Sequence, residues 1–315
     1  MSEVSLPRWG EKEAIDGSSV ETRLRLLLGV SHRCRAPMSL DQLVAHLPVG
    51  ATWTIDTVSS WVKDHPEEGH VVAGHVMPPS EISLPELVER TTRSQALWAE
   101  AEWAVSSPLR SAAALTRCVA VSGSVAYGYA APNDDIDFFV TSRRGTTWLF
   151  LALAFLQYRK VRRADHQPGP SQWCFNYVID ETEAPAEFAR PGGLLLAREA
   201  LSVRVLRGDA YYRSLLLHAK WMSGELPQVY TRRTQEGEVT GSAPEPASWG
   251  ARLVNLGVFP FLATYLQMLG LVRNHRLRRK APDRQFSTTT KFRRYMLRSV
   301  RFDELERLYR ALPPT

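Results

Sequence analysis

Ten residues separate the pair Gly123-Ser124 from Asp135-Ile136-Asp137, and this stretch is the part of the chain best suited to chemistry. Val119-Ala120-Val121 precedes the pair, and Ile136 and Phe138 bracket Asp137, so both halves read as short apolar strands. A glycine can turn a strand sharply into a helix and lets backbone amides approach a phosphate closely; the serine adds a hydroxyl donor. Two aspartates spaced by two on a strand point to one face, where their oxygens can hold one or two hard divalent cations. Magnesium is the natural choice, with manganese as the alternative. Such an ion bridges phosphate oxygens and offsets the charge that develops on a leaving pyrophosphate. The plain alternative is a solvated turn, Pro132-Asn133-Asp134-Asp135, but it leaves the Gly-Ser bend and the apolar brackets without a purpose.

Over residues 119–140 the chain resembles the polymerase-beta-like nucleotidyltransferase superfamily: Gly-Ser after a strand, a gap of about ten, then Asp-x-Asp between apolar residues. The wider arrangement is similar to a prokaryotic branch in which a winged-helix-like module precedes the transferase domain and helices follow it. The resemblance implies an enzyme that moves a nucleoside monophosphate from an NTP to a hydroxyl, amine or phosphate acceptor. That acceptor could be a small molecule, an RNA or a protein. Gly123 and Ser124 would then take the triphosphate, and Asp135 and Asp137 would be the metal-binding catalytic acids. Members of the superfamily usually add a third carboxylate from a later strand, which here falls on residues 173–180. Regular alternation places Cys174, Asn176, Val178 and Asp180 on one face, so the middle position is Asn176. An asparagine can ligate or orient but cannot act as a general base. Asp180 lies four residues further along, about 13 Å away. A nucleotide-binding regulator without turnover is therefore the alternative function. Arg143 and Arg144 follow the metal strand and can make bidentate phosphate contacts, unless they form a solvated turn. His218, Lys220 and Trp221 occupy a stretch similar to one that lines the cleft in related transferases, which makes Lys220 a candidate nucleotide contact. Tyr127 and Tyr129 can stack on a base, although packing is the better reading.

The elements that must position these residues follow a simple plan. Residues 1–19 read as a loose leader. Residues 20–80 read as three short helices and a hairpin turning near Ala73-Gly74, with Ser39 and Gln42 set to cap the second helix reciprocally and the third running over 54–63. That order is the order of a winged helix-turn-helix. Its third helix offers Thr57, Ser59, Ser60 and a single Lys63, so DNA binding is an alternative and not the favoured role. Residues 81–230 read as a connecting helix broken near Pro108 and then the α/β (α+β) core with a small mixed sheet. Residues 231–248 read as a linker and residues 249–315 as a C-terminal helical unit. From Arg273 to Arg301 the chain holds eleven Lys or Arg and only Asp283 as an acid, with Phe286, Phe292 and Tyr295 interleaved, a candidate polyanion surface.

Composition bounds the remaining choices. The chain has 315 residues, 44% apolar and 23% charged, with a net charge of +6; folding throughout and affinity for polyanions are expected, and disordered or fibrous classes are excluded. Cys34, Cys118 and Cys174 lie far apart, so neither a zinc site nor a disulfide framework is expected. The charged N-terminal stretch lacks the apolar run of an export signal, and a cytoplasmic protein is expected. Residues 253–272 carry no charge, yet Asn255, Pro260, Thr264 and Gln267 suit a buried, proline-kinked helix better than a lipid-facing span, so no membrane contact is expected.

Overall fold

The computed structural model describes residues 20–34, 37–47, 53–77, 83–164, 172–235, 247–280, 285–300, 302–303 and 306. The expected leader, and most of the expected linker, lie outside these residues. The chain opens with α1 (Val20–Cys34), β1 (Met38–Ser39), α2 (Leu40–Ala45), α3 (Ile55–Asp64) and the hairpin β2 (His70–Val72) and β3 (His75–Met77). The cap of α2 is reciprocal: Gln42 N donates to Ser39 Oγ at 3.1 Å and Ser39 N donates to Gln42 Oε1 at 3.0 Å. Ala73 (φ 49) and Gly74 (φ 76) form the hairpin turn, both left-handed as a two-residue loop between right-twisting strands requires. Leu24, Leu27, Leu43, Val58, Val62 and Val76 close a small core between the helices and the hairpin.

The long helix α4 (Leu84–Ser106) and the short α5 (Arg110–Ala113) flank Pro108, which lacks the N–H needed to continue a helix. Then follow β4 (Thr116–Ser122), α6 (Gly123–Tyr127), β5 (Ile136–Ser142), α7 (Thr147–Ala164) and β6 (Trp173–Asp180). Next come α8 (Ala184–Ala189), α9 (Gly193–Ser202), β7 (Arg204–Arg207), α10 (Asp209–His218), α11 (Met222–Glu225) and α12 (Pro227–Gln235). The chain continues with α13 (Trp249–Lys280) and the hairpin β8 (Phe286–Lys291) and β9 (Arg294–Ser299). The larger sheet has the order β7-β4-β5-β6-β9-β8. It is mixed: β5 and β6 are parallel, joined through α7 as a parallel crossover demands, and the other neighbours are antiparallel. Phe138, Val140, Trp148, Phe150, Phe175 and Val178 fill the core on one face; Phe139, Ile179, Leu201, Tyr212 and Leu216 fill it on the other. The protein is thus a mixed α/β structure with helices on both faces of its main sheet.

Two expectations for the C-terminal region are corrected. It is not wholly helical: the threonine run 288–290 and the alternating 294–299 segment suit a pleated surface, and they form a hairpin that extends the main sheet through β6. Nor is α13 a buried helix. One edge is held, since Asn255 is fully buried and its Oδ1 accepts from Trp148 N at 2.7 Å and Leu149 N at 3.0 Å, satisfying free amides at the start of α7. Ala263 and Leu266 are buried along the same edge, while Phe261 is 79% and Trp249 74% exposed. Asn255→Ala would leave two amides unpaired, and a loss of about 1–3 kcal/mol in urea unfolding is expected, with Asn255→Asp retaining more than alanine does.

Candidate functional site

The site is built where β4 ends. Gly123 takes φ +68, a left-handed conformation disfavoured for a side chain, and turns the strand into α6. The β4/β5 register sets Ser122 opposite Asp137, so the bend lies directly against that aspartate. A Cβ on Gly123 would stand 2.7 Å from Asp137 Oδ2, so only glycine leaves room for the carboxylate. Ile136 is fully buried in the core, which forces its neighbours Asp135 and Asp137 to the opposite face.

β6 runs parallel to β5 and pairs Cys174 with Asp137. Between this pair and the next, Phe139 with Tyr177, β6 has two residues facing one, a bulge at Phe175-Asn176. The bulge keeps Asn176 beside Asp137: its Nδ2 donates to Asp137 Oδ1, and its Oδ1 accepts from Cys174 Sγ at 2.7 Å. It also breaks the expected alternation, because beyond it Ile179 joins the core face that Phe139 occupies and Val178 turns to the other. Asp180 is the last residue of β6, at the end away from Asp137. There it is fully buried and caps a turn, accepting from Gly145 N at 2.6 Å, Thr182 N at 2.9 Å and Thr182 Oγ1 at 2.7 Å.

Carboxylate oxygens of Asp135 and Asp137 and the Cys174 sulfur lie within 4.8 Å of one another, all half-buried. Burial, then the Asp135 charge, then those of Glu199 and Asp134, push the Asp137 carboxyl well above its ordinary value near 3.8, against the opposing Asn176 donor. Burial raises Asp135 as well, against its own backbone amide, the Cys174 thiol and Arg273. The thiol is pushed up by burial and by the two aspartates. Among the described residues no salt bridge engages Asp135 or Asp137. Asp135 and Asp137, two desolvated acids that repel each other, and the Cys174 thiol are the groups here that could hold a divalent cation.

Three neighbours add to the expected site residues. Alternation already sets Cys174 on the face of Asn176 without giving it a role, and Arg273 is expected only as the first cation of the basic run. No local signal points to Glu199: it reaches the site from α9, where it accepts from Tyr127 OH at 2.8 Å across 72 positions of sequence. Arg273 heads the basic run of α13, and its guanidinium lies 4.2 Å from the Phe286 ring centroid while its charge acts on Asp135 and Cys174. Further along the run Arg294 is paired with Glu183 and Glu187, and Arg298 with Asp303 and Glu306, while Arg276, Arg278, Lys291 and Arg293 are exposed.

Other expected contacts are not brought here. Arg143 and Arg144 follow β5 at its opposite end, six and seven residues beyond Asp137 and so about 20 Å away along the strand. Their backbone amides are engaged there, Arg143 N with Leu115 O at 2.8 Å and Arg144 N with Glu181 Oε1 at 2.8 Å. Lys220 is exposed in the turn between α10 and α11, and among the described residues no hydrogen bond or ion pair links it to the aspartates. His218 is tied to Ser214 O and Trp221 Nε1 to Phe188 O. Tyr127 lies under Arg198, 4.8 Å from guanidinium to ring centroid, and Tyr129 meets His75 edge-on at 5.8 Å, so both tyrosines pack. No protein-family model, curated protein or solved structure matches the chain.

Proposed function

We propose that the chain binds a nucleoside triphosphate with a divalent cation at Asp135 and Asp137 and transfers the nucleoside monophosphate to a hydroxyl, amine or phosphate acceptor, releasing pyrophosphate. One observation carries this reading: the paired, half-buried acids meet the left-handed Gly123 bend where β4 ends beside the start of β5. The six-stranded sheet and its helices would then be a nucleotidyltransferase core, and residues 20–77 a winged-helix-like module before it.

Asp135 and Asp137 would hold magnesium or manganese, with Cys174 at the margin. The ion supplies neutralisation of phosphate oxygens and of charge on the leaving pyrophosphate. Asn176 keeps the Asp137 carboxylate in one orientation by donating to Oδ1, which leaves Oδ2 on the side of the bend. Ser124 contributes its hydroxyl, and backbone amides at the start of α6 face the phosphates. Arg273 brings positive charge from α13 to the same side, where a triphosphate carries its own negative charge. The acceptor's proton has no assigned carboxylate base, since the third position is Asn176 and Glu199 is occupied by Tyr127.

That asparagine is also what favours a second reading, a regulator that binds nucleotide without turning it over. Incubating the chain with each α-labelled NTP and magnesium or manganese separates the two. Release of pyrophosphate or label transfer is expected for the enzyme; calorimetric binding with neither product supports the regulator, and no binding of any NTP rejects both. The DNA reading has less behind it: the exposed side of α3 sets Lys63 against Asp56 and Asp64, so no cationic row faces outward.

A further inference from the structure

The most unusual surface on the molecule is not at the acids but along α13. Its solvent side carries Trp249, Leu256, Phe261, Tyr265, Met268 and Leu271, each at least half exposed, and leaves on the order of 1,000 Å² of apolar area to water. The largest apolar patch of an ordinary monomer is about 300–600 Å². The 20 residues from 253 to 272 contain no charge at all, and at about 1.5 Å per residue they make a strip roughly 30 Å long.

Charge decides what covers the strip. Arg252 stands at one end, and Arg276 and Arg278 are exposed in the turns beyond the other. No aspartate or glutamate occurs anywhere in Trp249–Lys280. A second copy laid on this helix in either direction would set arginine against arginine, with no acid on either helix to answer it. An anionic phospholipid surface supplies what is missing: an apolar boundary for the strip and negative head groups for its ends. The helix is also fixed along the body of the protein, by Asn255 on Trp148 and Leu149, by Gln267 on Thr290, and by Asn274 on Phe286. Held in this way along the body of the protein, it is placed to lie in the plane of such a surface.

We infer that α13 seats the protein on anionic membrane surfaces, with its apolar side in the head-group boundary and its terminal arginines on the lipid phosphates. The expectation of no membrane contact rested on burial of residues 253–272, and their exposure removes that ground. The inference is independent of the nucleotide reading, so Asp137→Asn should bind vesicles as the unaltered chain does.

Flotation of the full chain with vesicles of phosphatidylcholine alone, or of equimolar phosphatidylcholine and phosphatidylserine, tests it. The chain should rise with the mixed vesicles, and Arg276→Glu with Arg278→Glu should lower the floated fraction by about tenfold. Phe261→Asp with Leu271→Asp should abolish flotation while the circular dichroism spectrum stays unchanged, since both side chains are exposed. A chain that stays at the bottom with mixed vesicles at low salt overturns the proposal. So does a dimer in solution, measured by light scattering without lipid, that Phe261→Asp converts to a monomer, because the strip would then be covered by a second copy.

Discussion

Asp137→Asn should lower nucleotide turnover by about 10²–10³-fold or more, the scale on which a directly placed electrostatic group contributes, and should cancel the stabilisation expected of magnesium on the unaltered chain. A ligand present at a hundred times its dissociation constant stabilises the folded state by about 2.7 kcal/mol, and that increment is what the variant loses. Without metal the effect reverses. The Asp137 carboxyl is raised by burial and by Asp135 from its ordinary value near 3.8, so the folded chain holds its proton more tightly than the unfolded one. Its contribution to stability is therefore full below about 3.8 and is lost as pH rises through the raised value. Asparagine has no proton to lose, and the metal-free variant should be the more stable of the two near neutral pH. Thermal melts across pH, with and without magnesium, measure both effects; an equal magnesium increment in the two proteins would remove Asp137 from the site.

Gly123→Ala is expected to be nearly as damaging, through geometry instead of charge. The position requires φ +68, and the added carbon would stand 2.7 Å from Asp137 Oδ2. Strained backbone of this kind costs about 1–3 kcal/mol, and the carboxylate must move as well, so both stability and the magnesium response should fall. Gly128 provides the control. It has φ +88, and a Cβ added there would meet nothing within 4 Å, so Gly128→Ala should lose about 1 kcal/mol and keep the response to magnesium. A Gly123→Ala protein whose magnesium increment matches that of Gly128→Ala would show that the close approach does not matter.

The parts of the site that could be read in the sequence were those set by local rules. The strand-bend-strand run and the shared face of Asp135 and Asp137 depend on period-two alternation and on glycine's backbone freedom. The reciprocal Ser39/Gln42 cap, made of side-chain to backbone hydrogen bonds, and the left-handed Ala73-Gly74 turn are likewise contained within a few residues. The errors arose where long-range packing intervened. A bulge at Phe175-Asn176 is invisible to alternation, and it separated Val178 and Asp180 from the face begun by Cys174 and Asn176. Arg143 and Arg144 are near Asp137 in sequence, but an extended strand carries neighbours apart quickly. Glu199 and Arg273 reach the aspartates from helices whose placement no local pattern states. For 286–299, a basic run within a largely helical region concealed the β-branched threonine run 288–290 that suits a strand of the hairpin.

The attachment of β9 to β6 bears on how the protein comes into being on the ribosome. Tyr177, Val178 and Ile179 find their partners in Met296, Tyr295 and Arg294, more than a hundred positions later. Until those residues emerge, the strand carrying Cys174 and Asn176 has one edge of unsatisfied amides and carbonyls, open to any passing extended chain. The strand beside Asp137 is therefore framed on that side only once the C-terminal hairpin has been made.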